Sequence, residues 1–243
     1  MFNSRVFLAE FIGTFALVFI GMGAGIVSNA NVVGIALAYG LTLMVFVYAY
    51  GNISGAHLNP AVTFGFALSG AVKWMQAVFY WLAQFAGAIL AVFFLKTIVE
   101  SLDADIAKMV TSGILTDPQP ILAMVIEAVL TFLLMNTILH TKVEGKGGVF
   151  ASWAIGATLA VTAMVGFLFT GDAMNPARTL ASAIFVAPSL TSVYTYVVYF
   201  FGPLLGSTLA VIVFNFMNDT IEVEEEDEDD EDNGTEEVKS IAE

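Results

Sequence analysis

The stretch Asn175-Pro176-Ala177-Arg178 places polar residues and a proline inside apolar sequence, where both are costly. Its first three residues repeat an earlier triplet, Asn59-Pro60-Ala61, which also lies in apolar sequence. Asparagine is a favoured helix N-cap, and proline is tolerated at the first helical position, where its missing N–H would have no partner. Each triplet therefore predicts a short helix that begins at membrane depth. Such a helix start presents free N–H groups and a partial positive charge, which suit a lined cavity and not lipid.

The composition is that of a polytopic membrane protein, because 58% of the residues are hydrophobic and only 12% are charged. Six stretches are long enough to cross a bilayer, and two more, near 58–68 and near 174–186, are too short and predict half-helices. The sequence thus predicts an all-α membrane protein with six transmembrane helices and two half-helices. The six predicted spans are roughly Val6–Val27, Val32–Tyr50, Trp74–Leu95, Ile121–Leu139, Val149–Phe169 and Leu190–Met217.

The chain also contains an internal repeat, which appears when the two asparagines are aligned. Glu10 and Glu127 precede their asparagines by nearly equal distances, and a glycine and a threonine precede each asparagine at matching positions. We interpret residues 1–98 and 120–217 as two copies of one unit, joined by a loop over 99–119. Each copy has three spans, an odd number, so the copies are inverted and their half-helices meet near the midplane.

The acidic residues are concentrated at the end of the chain. The net charge is −14, and more than half of the 22 acidic residues lie in the last segment, which we predict as an acidic, disordered tail over 218–243. The absence of cysteine excludes disulfides, thiolate metal sites and cysteine nucleophiles. No catalytic constellation is evident, so we expect no enzyme activity, no cofactor, no metal and no nucleic-acid partner.

The basic residues of the loops predict the orientation. Six spans leave both termini on one side, and four basic residues near the spans fall on that side against two on the other. This favours cytoplasmic termini in a multi-pass protein of the cell membrane. The four are Arg5, Lys73, Lys142 and Lys146, and the two are Lys96 and Lys108.

The chain resembles the major intrinsic protein (aquaporin and aquaglyceroporin) family over residues 5–217. Two Asn-Pro-Ala triplets at this spacing, the second followed by arginine, within six spans are highly specific to that family. The supporting sequences are Ala9-Glu10-Phe11-Ile12-Gly13-Thr14, Ser54-Gly55-Ala56-His57-Leu58-Asn59-Pro60-Ala61-Val62-Thr63, Met174-Asn175-Pro176-Ala177-Arg178 and Gly202-Pro203-Leu204-Leu205-Gly206.

The resemblance implies a homotetramer of independently conducting subunits, each with a single-file pore in the lipid bilayer. Asn59 and Asn175 would donate hydrogen bonds to passing molecules. An arginine and the half-helix dipoles would oppose protons and cations, as is general for aquaporin-type pores. The resemblance also implies a second constriction, the selectivity filter, at Tyr39, Ala163, Asp172 and Arg178.

This filter departs from the family pattern at two positions. Ala163 lacks the bulk of the histidine that is usual in water-selective members, which predicts a wider pore. Asp172 places a carboxylate where neither water-selective nor glycerol-conducting members normally have one. We consider two alternatives: Asp172 pairs with Arg178, which lowers anion affinity and broadens solute selectivity, or it points out to solvent as a loop acid. The expected function is passage of water and small uncharged solutes such as glycerol or urea.

Other roles remain open for three polar residues. Glu10 and Glu127 are either proton-relay acids or, as their symmetric placement favours, structural acids that hydrogen-bond the loops leading into the half-helices. His57 is either a gate that responds to protonation or a loop histidine whose hydrogen bonds are satisfied. The alternatives to a water channel are a glycerol or urea facilitator with water secondary, a coupled transporter with inverted repeats, and a structural membrane protein.

Overall fold

The computed structural model describes residues 2–27, 31–102, 119–143, 148–185 and 197–233, and helices dominate all five segments. A turn of π-helix, Leu139–Val143, continues the fifth helix, and another, Val197–Phe201, precedes the last one. We number the α-helices in chain order. They are α1 (Ser4–Val27), α2 (Val32–Ser54), α3 (Pro60–Leu68), α4 (Trp74–Ser101), α5 (Pro120–Ile138), α6 (Ala151–Thr170), α7 (Pro176–Phe185) and α8 (Gly202–Asn233).

Within the described segments, six helical stretches are long and apolar enough to span a membrane, and α3 and α7 are the two short ones. The prediction of six spans and two half-helices is confirmed. Two spans are longer than their apolar cores, because α2 continues to Ser54 and α4 to Ser101. Hydropathy marks only the apolar part of each helix, whereas backbone hydrogen bonding continues through the polar residues that follow it.

Both half-helices begin at the asparagine, as their sequences predict. Asn59 has an extended backbone (φ −157°, ψ 124°), and its Oδ1 accepts a hydrogen bond from the Ala61 N–H at 2.9 Å. The Oδ1 of Asn175 accepts in the same way from the Ala177 N–H at 3.0 Å. At its other end α3 stops before Gly70, which has a φ of 81°. The corresponding predicted stop for α7, Pro188, lies outside the described residues.

Glycines bring the two halves of the repeat into backbone contact at the centre of the fold. A Cβ atom on Gly40 of α2 would lie 2.5 Å from the carbonyl oxygen of Gly156 of α6, and a Cβ atom on Gly156 would lie 2.5 Å from that of Gly40. Only glycine fits at either position, since real Cβ atoms do not approach so closely. The reciprocal contact is the one expected of a two-fold relation between the repeats.

Close glycine–backbone contacts also hold the first and last helices of each repeat together. A Cβ atom on Gly87 of α4 would lie 2.4 Å from the Phe11 carbonyl oxygen of α1, and one on Gly206 of α8 would lie 2.2 Å from the Ala128 carbonyl oxygen of α5. The equivalent pairs α1–α4 and α5–α8 therefore pack at similarly short range.

The last helix continues beyond the membrane-spanning part. Its backbone is helical to Asn233, although the composition predicts a disordered tail from residue 218. The acidic run contains many glutamates, which have good intrinsic helix propensity, and this is compatible with a continued helix. Residues 234–243 lie outside the described part of the chain.

Candidate functional site

Glu10 holds the loop that leads into the first half-helix. Its Oε1 accepts hydrogen bonds from the Ser54 hydroxyl (2.6 Å) and the His57 N–H (2.9 Å). Its Oε2 accepts from the Leu58 N–H (2.7 Å) and the Gln84 side-chain amide (2.8 Å). With four donors on two oxygens, the fully buried carboxylate is well satisfied. These contacts describe a structural acid and leave no free oxygen for proton relay.

Glu127 does the same for the second half-helix. Its two oxygens accept from the Ala173 N–H (3.1 Å) and the Met174 N–H (2.7 Å), and its side chain is fully buried. A tyrosine supports each loop from the other side. The Tyr80 hydroxyl donates to the Ser54 carbonyl and the Tyr199 hydroxyl to the Thr170 carbonyl, both at 2.6 Å. Both carbonyls lie at the last residue of a helix, where a backbone acceptor has no helical partner.

The two asparagines are linked across the centre of the molecule. The Nδ2 atom of Asn59 donates to the Met174 carbonyl at 2.7 Å, and the Nδ2 atom of Asn175 donates to the Leu58 carbonyl at 2.9 Å. Each amide group carries two N–H donors. One therefore fixes the side chain, and the second is available to a molecule in the adjoining cavity.

A narrow cavity of about 30 Å³ passes these asparagines. A water molecule needs about 10–15 Å³ by the same measure, so the cavity has space for roughly two to three water positions. Its walls are largely apolar, with a few polar groups at intervals. The polar and charged lining residues are Tyr39, His57, Asn59, Lys142, Asp172, Asn175 and Arg178.

Arg178 closes one end of the cavity and is fixed by three hydrogen bonds. Its Nε donates to the Tyr39 hydroxyl at 2.7 Å, and its two terminal nitrogens donate to the backbone carbonyls of Asp172 (3.0 Å) and Gly171 (3.1 Å). The guanidinium carbon also lies 4.9 Å from the centre of the Tyr39 ring, within cation–π range. A guanidinium has five N–H donors, so two remain for a molecule in the cavity.

Asp172 does not behave as either sequence hypothesis expects. Its side chain is only 5% exposed, so it is not a solvent-facing loop acid. Within the described segments, it forms no ion pair with Arg178. The ion pair that the structure contains there joins Lys96 and Glu100. The guanidinium binds the backbone carbonyl of Asp172 instead. The reason is geometric: Asp172 adopts a left-handed backbone (φ 49°) that presents this carbonyl to the arginine.

The Asp172 carboxylate therefore keeps free acceptor capacity. Its Oδ1 atom is buried and has no hydrogen-bond partner in the protein. It lies close to α6, since a Cβ atom on Gly166 would be 3.0 Å from it. A buried oxygen without a partner is costly, and Asp172 carries it beside the cavity that the residue lines.

Ala163 is the one predicted filter residue that does not line this cavity. It is fully buried on α6, and the cavity is lined from that helix by Ile155 and Leu159. The structure thus brings Tyr39, Asp172 and Arg178 together. Ala163 forms no part of the wall of this cavity, and the expectation that this position widens the pore stays a prediction.

His57 lies in the cavity wall near the opposite end from Arg178. Its ring stacks on Phe66 with centroids 4.4 Å apart, lies 4.7 Å from the Tyr80 ring, and places Nδ1 3.1 Å from the Thr63 hydroxyl. The side chain is 4% exposed. Packing on both faces and a hydrogen-bonded Nδ1 match the satisfied loop histidine and leave little room for a gating movement.

Sequence reasoning missed three features of this site. The carbonyls of Leu58 and Met174 fix the asparagines, and Lys142 lines the cavity near its N-terminal mouth. Backbone carbonyls leave no signal in a sequence. Lys142 does carry a sequence signal, because it is a basic residue at the very end of an apolar span. That signal indicates only the orientation of the span, and not a place in the cavity wall.

Comparison with known proteins identifies the family. The model of the family described as "Major intrinsic protein" matches residues 1–214. The chain is a major intrinsic protein. It is 37% identical over 215 residues to "Glycerol uptake facilitator protein-like 6" of Lactiplantibacillus plantarum, an alignment that covers 85% of this chain and 94% of the relative. It is 34% identical over 223 residues to "Aquaporin TIP2-1" of Arabidopsis thaliana, covering 86% of each.

The fold has a solved counterpart. The X-ray structure of the aquaglyceroporin from Plasmodium falciparum superposes with a TM-score of 0.76, at 24% identity, covering 86% of this chain and 94% of that one. Members of this family are channels for water, glycerol or both. This major intrinsic protein is accordingly a multi-pass membrane channel and not an enzyme.

Proposed function

We propose that the protein is a passive pore for water and small uncharged solutes that excludes protons and ions. The observation that carries the proposal is a narrow cavity that Asn59, Asn175 and Arg178 all line. The apolar walls offer few other partners, so a passing molecule exchanges its hydrogen bonds at these points.

Charge supports the exclusion of ions. The N-termini of α3 and α7 meet beside Asn59 and Asn175, and each contributes a partial positive charge. Arg178 adds a full positive charge at one end of the cavity. A cation meets repulsion at both places, and a hydrated ion has too little space to keep its water shell. Water and neutral solutes meet neither barrier.

The polar lining near Arg178 also favours passage of polar solutes. Asp172 lines the cavity next to Arg178, and its buried Oδ1 has no partner in the protein. A solute with several donors and acceptors, such as glycerol or urea, has a donor for that oxygen and an acceptor for Arg178. A facilitator of glycerol or urea type with water secondary is the second candidate, and the unpartnered Asp172 oxygen is the observation that favours it.

The proposed assembly is a homotetramer in the cell membrane with both termini cytoplasmic. The basic residues Arg5, Lys73 and Lys142 lie on the N-terminal side of the spans, which supports this orientation. Light scattering coupled to size exclusion in detergent measures the oligomeric mass, and a monomer would contradict the tetramer. Protease accessibility of an N-terminal tag in right-side-out vesicles tests the orientation.

Stopped-flow light scattering on proteoliposomes tests the transport function. We expect osmotic shrinkage faster than in protein-free vesicles, uptake of glycerol and urea that does not saturate, and no dependence on membrane potential. A pH-sensitive dye inside the same vesicles should report no added proton leak. Saturation or potential dependence would instead indicate a coupled transporter, and vesicles no faster than lipid alone would contradict the proposal.

A further inference from the structure

Lys142 lies at the N-terminal mouth of the cavity, far along the pore from Arg178. It belongs to the π-helical turn Leu139–Val143 that continues α5, and this turn ends on the same side as the C-terminus of α2 because successive spans alternate in direction. Its side chain is partly buried and lines the narrow cavity. Among the described residues, Lys142 is the lysine that lines this cavity. The mechanism proposed above gives it no role.

The amino group of Lys142 is tethered across the mouth. Its Nζ donates a hydrogen bond to the carbonyl oxygen of Gly55, which follows the last residue of α2. Carbonyls at a helix C-terminus lack helical partners and carry a partial negative charge, so they attract a cation. In the part of the chain that the structure describes, no carboxylate forms an ion pair with Lys142. Its hydrogen bond to the Gly55 carbonyl is thus the contact that holds the amino group.

This tether lies at the boundary between two spaces. On one side is the narrow cavity of about 30 Å³, and on the other is a wider vestibule of about 400 Å³. Three residues line both spaces, and two of them are the tethered pair. The three are Val47, Gly55 and Lys142. The lysine side chain and the Gly55 carbonyl therefore form part of the wall that separates the two spaces.

We infer that Lys142 forms a second constriction, at the N-terminal mouth, and that its side chain must leave the Gly55 carbonyl for a solute to pass. A lysine stem is flexible and unbranched, and its ammonium group exchanges one acceptor readily for another, including water. The barrier is therefore mobile, in contrast to Arg178, which three hydrogen bonds hold in place. This inference rests on the proposed function, since it concerns the rate through the same pore.

A purely structural role is the competing explanation, because a lysine that binds a helix C-terminus also stabilises that helix. The two explanations differ in what they predict for permeability. Removal of a structural cap lowers thermal stability and leaves the rate unchanged or reduced. Removal of a mobile constriction raises the rate per protein.

The test compares Lys142→Ala, Lys142→Arg and the wild type, reconstituted as full chains at equal density and measured by stopped-flow osmotic shrinkage. Lys96→Ala is the matched control, because Lys96 is also a lysine on a spanning helix but faces only Glu100 at 3.5 Å on the surface. If one ordinary hydrogen bond holds the mouth closed, its loss should raise water permeability about two- to twelve-fold. Lys142→Arg should stay near the wild type, since arginine also donates to the Gly55 carbonyl.

The outcomes distinguish a failure of the Lys142 inference from a failure of the proposed function. A wild type that conducts and a Lys142→Ala variant of equal or lower permeability would overturn the inference and leave the proposed function standing. If Lys142→Ala does not reconstitute, Lys142→Met, which keeps the stem and removes the donor, takes its place under the same criterion. Slow wild-type vesicles with fast Lys142→Ala vesicles would support the inference. Vesicles of both proteins no faster than lipid alone would overturn the proposed function and the inference together.

Discussion

The side-chain amide nitrogen of Asn59 lies 2.7 Å from the carbonyl oxygen of Met174, and that of Asn175 lies 2.9 Å from the carbonyl oxygen of Leu58. Each asparagine thus binds the residue that precedes the other asparagine. The same side chains cap their own half-helices through Oδ1. One residue type therefore starts each helix, joins the two repeats and leaves one donor toward the cavity, which explains why asparagine occupies both positions.

Replacing either asparagine by aspartate should separate these roles. Aspartate caps a helix as well as asparagine does, but it cannot donate to the Met174 or Leu58 carbonyl. We expect Asn59→Asp and Asn175→Asp each to lose about 1–3 kcal/mol of unfolding free energy, because a buried acceptor is left without its partner. Both should also lower water permeability, measured by stopped-flow, while detergent thermal melts measure stability.

The control for these variants is Asn3→Asp. Asn3 caps α1 through Oδ1 to the Arg5 N–H at 3.0 Å on an exposed surface, so only its capping role is involved. We expect little change in stability or permeability there. A comparable loss in Asn3→Asp, or no loss in the two central variants, would contradict the assignment.

The buried acids should respond unequally to neutralisation. A glutamine at position 10 points its NH₂ group at two donors, since each Glu10 oxygen accepts two hydrogen bonds. Each Glu127 oxygen accepts one backbone N–H, and the Thr170 side chain is a third donor to this carboxylate, against four donors to Glu10. We therefore expect Glu10→Gln to destabilise the protein more than Glu127→Gln, with costs of about 1–3 kcal/mol for each unsatisfied donor. Thermal melts measure the order, and exposed Glu100→Gln is the control.

Removing the hydroxyl group from either tyrosine that binds a helix end should lower stability by a similar amount. Tyr80→Phe and Tyr199→Phe each remove one hydroxyl from a buried carbonyl and change no other atom. We expect each to cost about 0.5–1.5 kcal/mol in unfolding free energy and to leave permeability unchanged. Tyr48→Phe is the control because Tyr48 is 72% exposed. A large permeability change in either buried variant would mean that the loop position, and not only its stability, depends on the hydroxyl.

The architecture was predictable because its signals are carried by side chains. Apolar length marks the six spans, and the Asn-Pro pair marks each half-helix start through capping chemistry that is local in sequence. The acids Glu10 and Glu127 were also found, since a carboxylate in apolar sequence at repeated positions demands an explanation. These features need only the order of residues and general physical chemistry.

The filter was harder to predict because backbone geometry decides it. The sequence suggested that Asp172 would pair with Arg178 through opposite charges. The left-handed backbone at Asp172 turns its carbonyl to the guanidinium instead, and no composition or spacing signal encodes that φ angle. Lys142 has a sequence signal as the basic end of an apolar span, but its partner, the backbone carbonyl of Gly55, has none.

Mercurial reagents should not inhibit transport by this protein. The chain has no cysteine, so it offers no thiolate to bind mercury. We expect equal osmotic shrinkage rates of proteoliposomes before and after treatment with mercuric chloride. Inhibition that a thiol reagent reverses would contradict this expectation, and a cysteine placed in the cavity wall, Leu159→Cys, is the positive control.

The free oxygen of Asp172 should determine which neutral solutes pass beside Arg178. Oδ1 has no partner in the protein and belongs to a residue that lines the cavity, so a rotation of the side chain would let it accept a hydrogen bond from a solute there. We therefore expect Asp172→Ser to reduce glycerol and urea permeability relative to water by about three- to ten-fold, the loss expected for one ordinary hydrogen bond. Asp172→Asn keeps the side-chain size and an acceptor oxygen, so a wild-type solute range in that variant attributes the effect to the acceptor. Swelling assays in water, glycerol and urea that show the same solute range for Asp172→Ser and the wild type would refute this role.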